Sequence, residues 1–272
     1  MLVHRAPSPA LRPFVKTLWA CEETSLRANG ARRELVLPTG ATYLVFRLGH
    51  PLHLFGGIDD PVGRRIDHAV VGGARAAFYV RDTSQPVYSV GAELLPGAAE
   101  LLLGVPADEL ADRHTPVSDL WGSAAATARE RLCEARDLLQ RLNVFESLLV
   151  ARLPKVHGLH PAVAHALERF ETQPDIREVV AESGYSHRRF IELFRRAVGL
   201  SPKLYCRVRR FHRALGVVAV NRGASWVDLA LAAGYSDQPH FNREFREVAG
   251  ISPGQYREIA PSWSSHVPIR PI

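Results

Sequence analysis

No stretch of this 272-residue chain approaches the roughly 18–20 consecutive apolar residues that a membrane-spanning helix needs. Its first residues, Met1-Leu2-Val3-His4-Arg5, lead into proline-rich sequence and not into the apolar core of a signal peptide, which predicts a cytoplasmic protein. Only three cysteines occur, Cys21, Cys133 and Cys206, far apart and without a Cys-x-x-Cys pair. That argues against a disulfide framework and against a cysteine-ligated zinc site, and it predicts buried, inert thiols. No Ser-His-Asp spacing, nucleophile elbow or Walker-type phosphate loop is found, so an enzyme is not expected.

Charge of one sign is missing from only one part of the chain. Residues 1–154 hold 17 of the 34 Lys and Arg and 17 of the 28 Asp and Glu, and are neutral. The whole excess of +6 therefore lies beyond them, and a one-sided excess of this kind suggests that the second half meets a polyanion.

The first hundred residues alternate apolar and polar side chains over Arg33–Leu37, Ala41–Phe46, Ala77–Val80 and Val87–Val90. Breakers such as Pro38-Thr39-Gly40, Gly56-Gly57 and Gly72-Gly73 separate them, which predicts a small barrel or sandwich. From Pro96 the spacing turns helical. A helical region over Ala124–Leu153 is expected to break near Asn143 as an N-cap, and residues 154–161 read as a joint. Beyond Pro161 the chain reads as all helix, up to an irregular tail from Pro261.

An internal repeat organises that second half. GYSHRRFIELFRRAVGLSPKLY (184–205) lies over GYSDQPHFNREFREVAGISPGQY (234–256), with one residue inserted before Phe241. A short amphipathic segment precedes each copy, Ile176–Ala181 and Trp226–Leu231. Each copy thus reads as helix, glycine turn, helix. Gly184 and Gly234 suit the positive φ of the turn, Ser186 and Ser236 are placed to cap the second helix, and Ala181 and Ala230 to permit a close helix crossing. Phe190 with Phe194, and Phe241 with Phe245, would face inward at i, i+4. The outward face is then rich in Arg, Gln and Asn, whose side chains match guanine and adenine edges in a major groove. A polar helix is ordinarily just a solvated face, but two copies with matched turns and endings are far more specific. The segment between them, Ser201–Val220, carries the stripe Leu204, Val208, Phe211, Leu215 and Val218, with Lys203, Arg207, Arg209, Arg210 and Arg213 around it. A single helix there would fix the spacing of the two reading helices, ideally about 34 Å for successive major grooves.

From Asp175 to Arg257 the chain resembles the DNA-binding domain of AraC-type transcription regulators, through Ala233-Gly234-Tyr235-Ser236, Phe241, Phe245, Gly250 and Ser252-Pro253 with Tyr256. The resemblance implies two helix-turn-helix units joined by one helix, bound to double-stranded promoter DNA. It places base-facing residues at Arg188, Ile191 and Glu192 in the first unit and at Gln238, His240, Asn242 and Arg243 in the second. Phosphate contacts are expected from Arg195, Arg196, Lys203, Arg209 and Arg246. The N-terminal part is similar to a group of AraC-type regulators with a cupin-like barrel, through Ser8–Val15, Leu37–Gly40, Gly91–Ala99 and Leu120-Trp121-Gly122. That implies a small-molecule effector or a homodimer, with RNA polymerase as a further partner.

The expected fold is therefore α+β: a β-rich, cupin-like sensor over residues 1–122, a helical joint over 123–160 with a possible dimer face, an all-α double helix-turn-helix over 161–260, and the tail 261–272. Trp19, Tyr43, Phe46, Phe78 and Tyr88 are candidate lining for an effector pocket, with plain core as the alternative. His50, His53, Asp59, Asp60 and His68 lie close in sequence, but the His-x-His-plus-Glu set of metal-binding cupins is absent, and neither metal nor cofactor is expected. The competing reading is a cupin-like small-molecule or metal enzyme with an appended helical domain. A DNA-repair protein with a reactive cysteine is a third, disfavoured by the lack of a Pro-Cys motif.

Overall fold

Period-two alternation builds the N-terminal half, as the sequence suggests, but with more strands than it reveals. The structure, a computed structural model, describes residues 1–23, 32–153, 158–172, 175–220, 223–261 and 263–269. The strands are β1 (Leu2–Arg5), β2 (Val15–Glu23), β3 (Arg33–Val36), β4 (Thr42–Arg47), β5 (His53–Phe55), β6 (Arg64–Arg65), β7 (Ala69–Gly72), β8 (Tyr79–Asp82), β9 (Val87–Leu94), β10 (His114–Pro116) and β11 (His266–Ile269). They form two antiparallel sheets, one in the order β1-β2-β9-β4-β7-β10 and the other β11-β3-β8-β5-β6.

Each sheet has one face turned to helices. Leu44 and Phe46 of β4 and Val90, Ala92 and Leu94 of β9 pack on α1 (Ala98–Leu103), α2 (Ala107–Leu110), α3 (Ser118–Trp121), α4 (Ala124–Glu134) and α5 (Leu138–Val150). The outer face of the second sheet offers Leu35, Leu37 and Val80 to the C-terminal helices. Those are α6 (Pro161–Thr172), α7 (Ile176–Glu182), α8 (His187–Val198), α9 (Pro202–Val220), α10 (Trp226–Ala232), α11 (Gln238–Ala249) and α12 (Pro253–Ile259). The fold is thus a two-sheet β unit followed by helices, with the second sheet and the helical half sharing one core.

Between the sheets a small apolar cluster, Leu52, Leu54 and Val70, lies beside a charged one. Glu34 is fully buried and ion-paired with Arg81, and His266 Nδ1 of β11 lies 2.9 Å from the same carboxylate. Arg47 is also buried, and desolvation together with the nearby Arg81 charge lowers its pKa to about 10. His114 stacks edge-on against Tyr79 at 4.6 Å, and burial with the charges of Arg75, Arg64 and Arg81 pushes its pKa down to about 3.

Several expectations change here. The tail is not irregular throughout: β11 pairs with β3, with His266 opposite Val36 and Ile269 opposite Arg33. Proline does not prevent it, because β11 is an edge strand, where a missing N–H is tolerated. The break between α4 and α5 falls at Ala135–Asp137, and Asp137 is the N-cap, accepting from Gln140 N–H at 2.8 Å. Asn143 lies inside α5, where its side chain accepts from Arg5. On that helix Leu138, Leu142, Phe145 and Leu149 are buried against the chain's own first sheet, and Leu139 is left exposed. The joint residues 154–157 lie outside the described residues. None of the three cysteines is fully buried as expected, and Cys133 is exposed.

Phe211, fully buried where α9 meets the second sheet, is the test of the shared core. Phe211→Ala should cost about 3–5 kcal/mol in urea denaturation, from lost transfer energy plus the cavity. A second prediction concerns pH. A folded-state pKa near 3 means that His114 stays neutral in the folded protein while the unfolded chain takes up a proton below about 6.5. Stability should therefore fall with pH across that window, by up to about 1.4 kcal/mol per unit from this group. His114→Asn should flatten the slope between pH 6 and 4; an unchanged slope would move its origin elsewhere.

Candidate nucleic-acid interface

The repeat folds into two equivalent units. In the first, α7 and α8 flank the turn Ser183–Ser186, and in the second α10 and α11 flank Ala233–Asp237. Gly184 and Gly234 adopt φ of 73° and 86°, a conformation that a side chain would strain. Phe190, Phe194, Phe241 and Phe245 are all fully buried, so one face of each second helix is fixed inward and the opposite face is left to solvent. Between the units, α9 runs for 19 residues, about 28 Å at 1.5 Å per residue.

The capping differs between the copies. Ser186 caps α8, accepting from Arg189 N–H, but in the second unit Asp237 does this for α11, accepting from His240 N–H at 2.7 Å. That bond is the main cause holding the Asp237 carboxyl below its usual pKa. The inserted residue moves the cap along by one, and Ser236 instead meets His240 Nδ1 at 3.2 Å. Ala230 is buried at the helix crossing as expected, whereas Ala181 is exposed and Val180 takes the matching place.

The expected reading residues divide by what already holds them. Arg188 and Arg243 are exposed and engage no carboxylate by ion pair among the described residues. Ile191, Gln238 and Asn242 are half-buried on the same faces. Glu192 is ion-paired with Arg189 at 3.0 Å, and His240 lies edge-on to Tyr235 at 5.4 Å. Of the expected phosphate contacts, Arg195, Lys203 and Arg246 are exposed. Arg209 is instead paired with Glu171 of α6, and Arg196 with Glu100 of α1. Both cations are committed within the protein, which sequence spacing could not reveal because their partners lie 38 and 96 residues away.

The β unit holds α8 and α11 at one repeat position. Gly97 N–H donates to Ala197 O at 2.8 Å, and Phe78 N–H donates to Val248 O at 3.0 Å. Ala197 and Val248 align in the two copies, and both carbonyls belong to a last helical turn that lacks an intrahelical donor. The helix N-terminal halves, where Arg188 and Gln238 sit, point away from this dock and remain open.

Sequence reasoning missed Glu244. It lies on the inward face of α11 beside Phe241 and Phe245, and is buried against Arg210 of α9. A carboxylate on an otherwise apolar stripe was the available signal, since a buried charge requires a partner.

The expected aromatic pocket is not assembled. Phe46 is core against Trp121 and Phe145, and Phe78 packs at Gly250 of the second unit. Tyr88 lies by Gly49, so only Trp19 and Tyr43 meet, edge-on at 5.9 Å between the sheets. Large rings went to separate parts of the core because burial alone satisfies them.

Residues 179–259 match the model of a helix-turn-helix domain. This chain carries an AraC-type helix-turn-helix domain. Residues 3–116 match a domain of unknown function. The AraC-type segment is 37% identical over 87 residues to the F1 operon positive regulatory protein of Yersinia pestis, covering 32% of this chain and 28% of that protein. It is 37% identical over 82 residues to the YkgA protein of Escherichia coli K12, covering 30% and 34%. The matched segment thus spans about a third of the length of these relatives. Among solved structures, ToxT of Vibrio cholerae superposes with a TM-score of 0.46 at 8% identity, covering 94% of this chain and 100% of that one.

The ion pairs of the AraC-type domain give a test by contrast. Arg195→Ala should weaken binding to every duplex and lower the salt slope by about 1, as loss of one phosphate contact does. Arg196→Ala, which removes a partner of Glu100, should leave that slope unchanged. Fluorescence anisotropy with random duplex across a salt series measures both.

Proposed function

We propose that this chain is a sequence-specific, DNA-binding transcription regulator and not an enzyme. In this reading residues 161–260 read double-stranded promoter DNA in the cytoplasm, and residues 1–122 sense a small molecule. The single observation that carries it is the pair of equivalent helices, α8 and α11, each locked inward by two phenylalanines and each presenting an open polar face. A relative named for positive regulation of an operon supports the same reading.

Roles follow from side-chain chemistry. Arg188 and Arg243 suit bidentate bonds to guanine, Gln238 and Asn242 suit adenine, and Ile191 suits a thymine methyl. Lys203, Arg195 and Arg246 contact phosphate, which positions the protein without specifying sequence. Glu192 and His240 act at the edge of the groove, shaping which bases approach. An operator with two-fold symmetry would engage a homodimer, and contact with RNA polymerase would follow from promoter binding.

The effector would enter between the two sheets, where Trp19 and Tyr43 meet.

The decisive measurement is anisotropy on the protein's own upstream DNA and on a shuffled duplex. Tight binding to the first with a steep salt slope is expected, and equal, weak binding to both, unrelieved by any effector, would overturn the reading. Arg243→Ala should cost about 1–3 kcal/mol on the specific site and spare the shuffled one. Equal losses on both would remove Arg243 from base reading.

A further inference from the structure

The two units match in turn, apolar spacing and ending, but at one inward position an apolar side chain is replaced by a charged one. Where the first unit has Leu193, half-buried among apolar neighbours, the second has Glu244. Its side chain is only 9% exposed, yet it carries a carboxylate.

That carboxylate gathers cations from the connector. Arg210 of α9 grips it with two bonds, Nε to Oε1 at 3.2 Å and Nη2 to Oε2 at 2.7 Å. Arg207, one helical turn earlier, places Nε 3.6 Å from Oε2 and also pairs with Glu247. His240, in the first turn of α11, lies at 3.8 Å. The Arg210 guanidinium in turn covers the ring of Tyr235, 4.9 Å from its centre. Tyr235 is the turn residue of the second unit and is 3% exposed, whereas its counterpart Tyr185 is 41% exposed. One carboxylate therefore ties together reading helix, connector and turn, and only in the second unit.

Two consequences follow from the chemistry. A planar guanidinium bound at both nitrogens fixes orientation as well as distance, so α11 is held at one rotation relative to α9. The same bonds occupy donors of Arg207 and Arg210 that would otherwise be offered to phosphate, which binds duplex of any sequence. We propose that Glu244 is the positioning residue of the second reading helix, and that by holding Arg207 and Arg210 it makes this unit select bases in preference to bare charge. This rests on the DNA-reading function proposed above.

The test uses the full-length chain with Glu244→Gln, which keeps the shape and removes the charge, and Glu244→Leu, which installs the residue of the first unit. Wild type and variants are titrated against the specific site, against the site with either half scrambled, and against fully scrambled duplex, across a salt series. Arg188→Ala and Arg243→Ala assign each half to its unit. The variants should lose about tenfold or more of their preference for the second half-site, the equivalent of one good base contact, and keep their preference for the first. Their affinity for scrambled duplex should rise, with a salt slope steeper by about 1 to 2 as freed guanidinium groups meet phosphate. Equal loss on both halves with an unchanged salt slope would assign Glu244 a purely structural role and overturn the proposal, as would unchanged preference. If Glu244→Gln does not fold, Glu244→Leu reads the same quantities, because leucine already stands at the matching place of the first unit and the released Arg207 and Arg210 side chains are partly open to water. A wild-type protein without preference for any intact site would sink the DNA-reading function itself, and this proposal with it.

Discussion

Burial of one stripe of α9 is the constraint on which the rest of the molecule depends. Val208, Phe211, Leu215 and Val218 are each at most 1% exposed, and the last three share a core with Leu35, Leu37 and Val80 of the second sheet. Each such side chain contributes about 1.5–3 kcal/mol by leaving water. The same helix must also support α10 and α11, since Phe245, Leu229 and Ala230 join that core. A helix has one rotation about its axis, so satisfying the sheet and α11 together determines where the open face of α11 points. The dock of Ala197 and Val248 carbonyls on Gly97 and Phe78 then fixes the far ends of α8 and α11.

Charge acts within that frame, and more of it is spent inside the protein than the net value suggests. The excess of +6 lies wholly beyond residue 154, which pointed to a polyanion. Yet Arg196, Arg207, Arg209 and Arg210 all face carboxylates of the same chain. Arg188, Arg195, Lys203, Arg243 and Arg246, distributed over both units and the start of the connector, are among the cations that remain open. Fewer open cations mean a smaller counterion-release term, leaving more of any specificity to base contacts.

The parts legible in the sequence were those whose signal is local. Positive φ at Gly184 and Gly234, the paired phenylalanines and the stripe of α9 are set by residues within one or two turns, and all appear as read. The parts that were not legible depend on partners distant in the chain. A strand at 266–269 becomes a strand only because β3 offers an open edge more than two hundred residues earlier. The ion pairs of Arg196 and Arg209 were hidden for the same reason, since nothing near them in sequence shows Glu100 or Glu171. Asp237 replaces Ser236 as a cap because a single inserted residue outweighs an otherwise good alignment, and the nearest acceptor to the free N–H groups wins.

The Glu34 cluster joins the interior of the β unit to the strand that follows the C-terminal helices. His266 stands on β11, directly after the helices that carry the repeat, and its ring nitrogen reaches a carboxylate that Arg81 also holds. Removing one partner from a buried ion pair is strongly unfavourable, because the remaining charge has no water to replace it. Anything that enters between the sheets and competes for Arg81 must therefore satisfy Glu34 in another way. His266 already lies 2.9 Å from that carboxylate, so its ring stands within the same cluster of charge. This cluster and the Arg196–Glu100 pair are thus two places where the halves of the chain meet through charge, one buried and one at the surface.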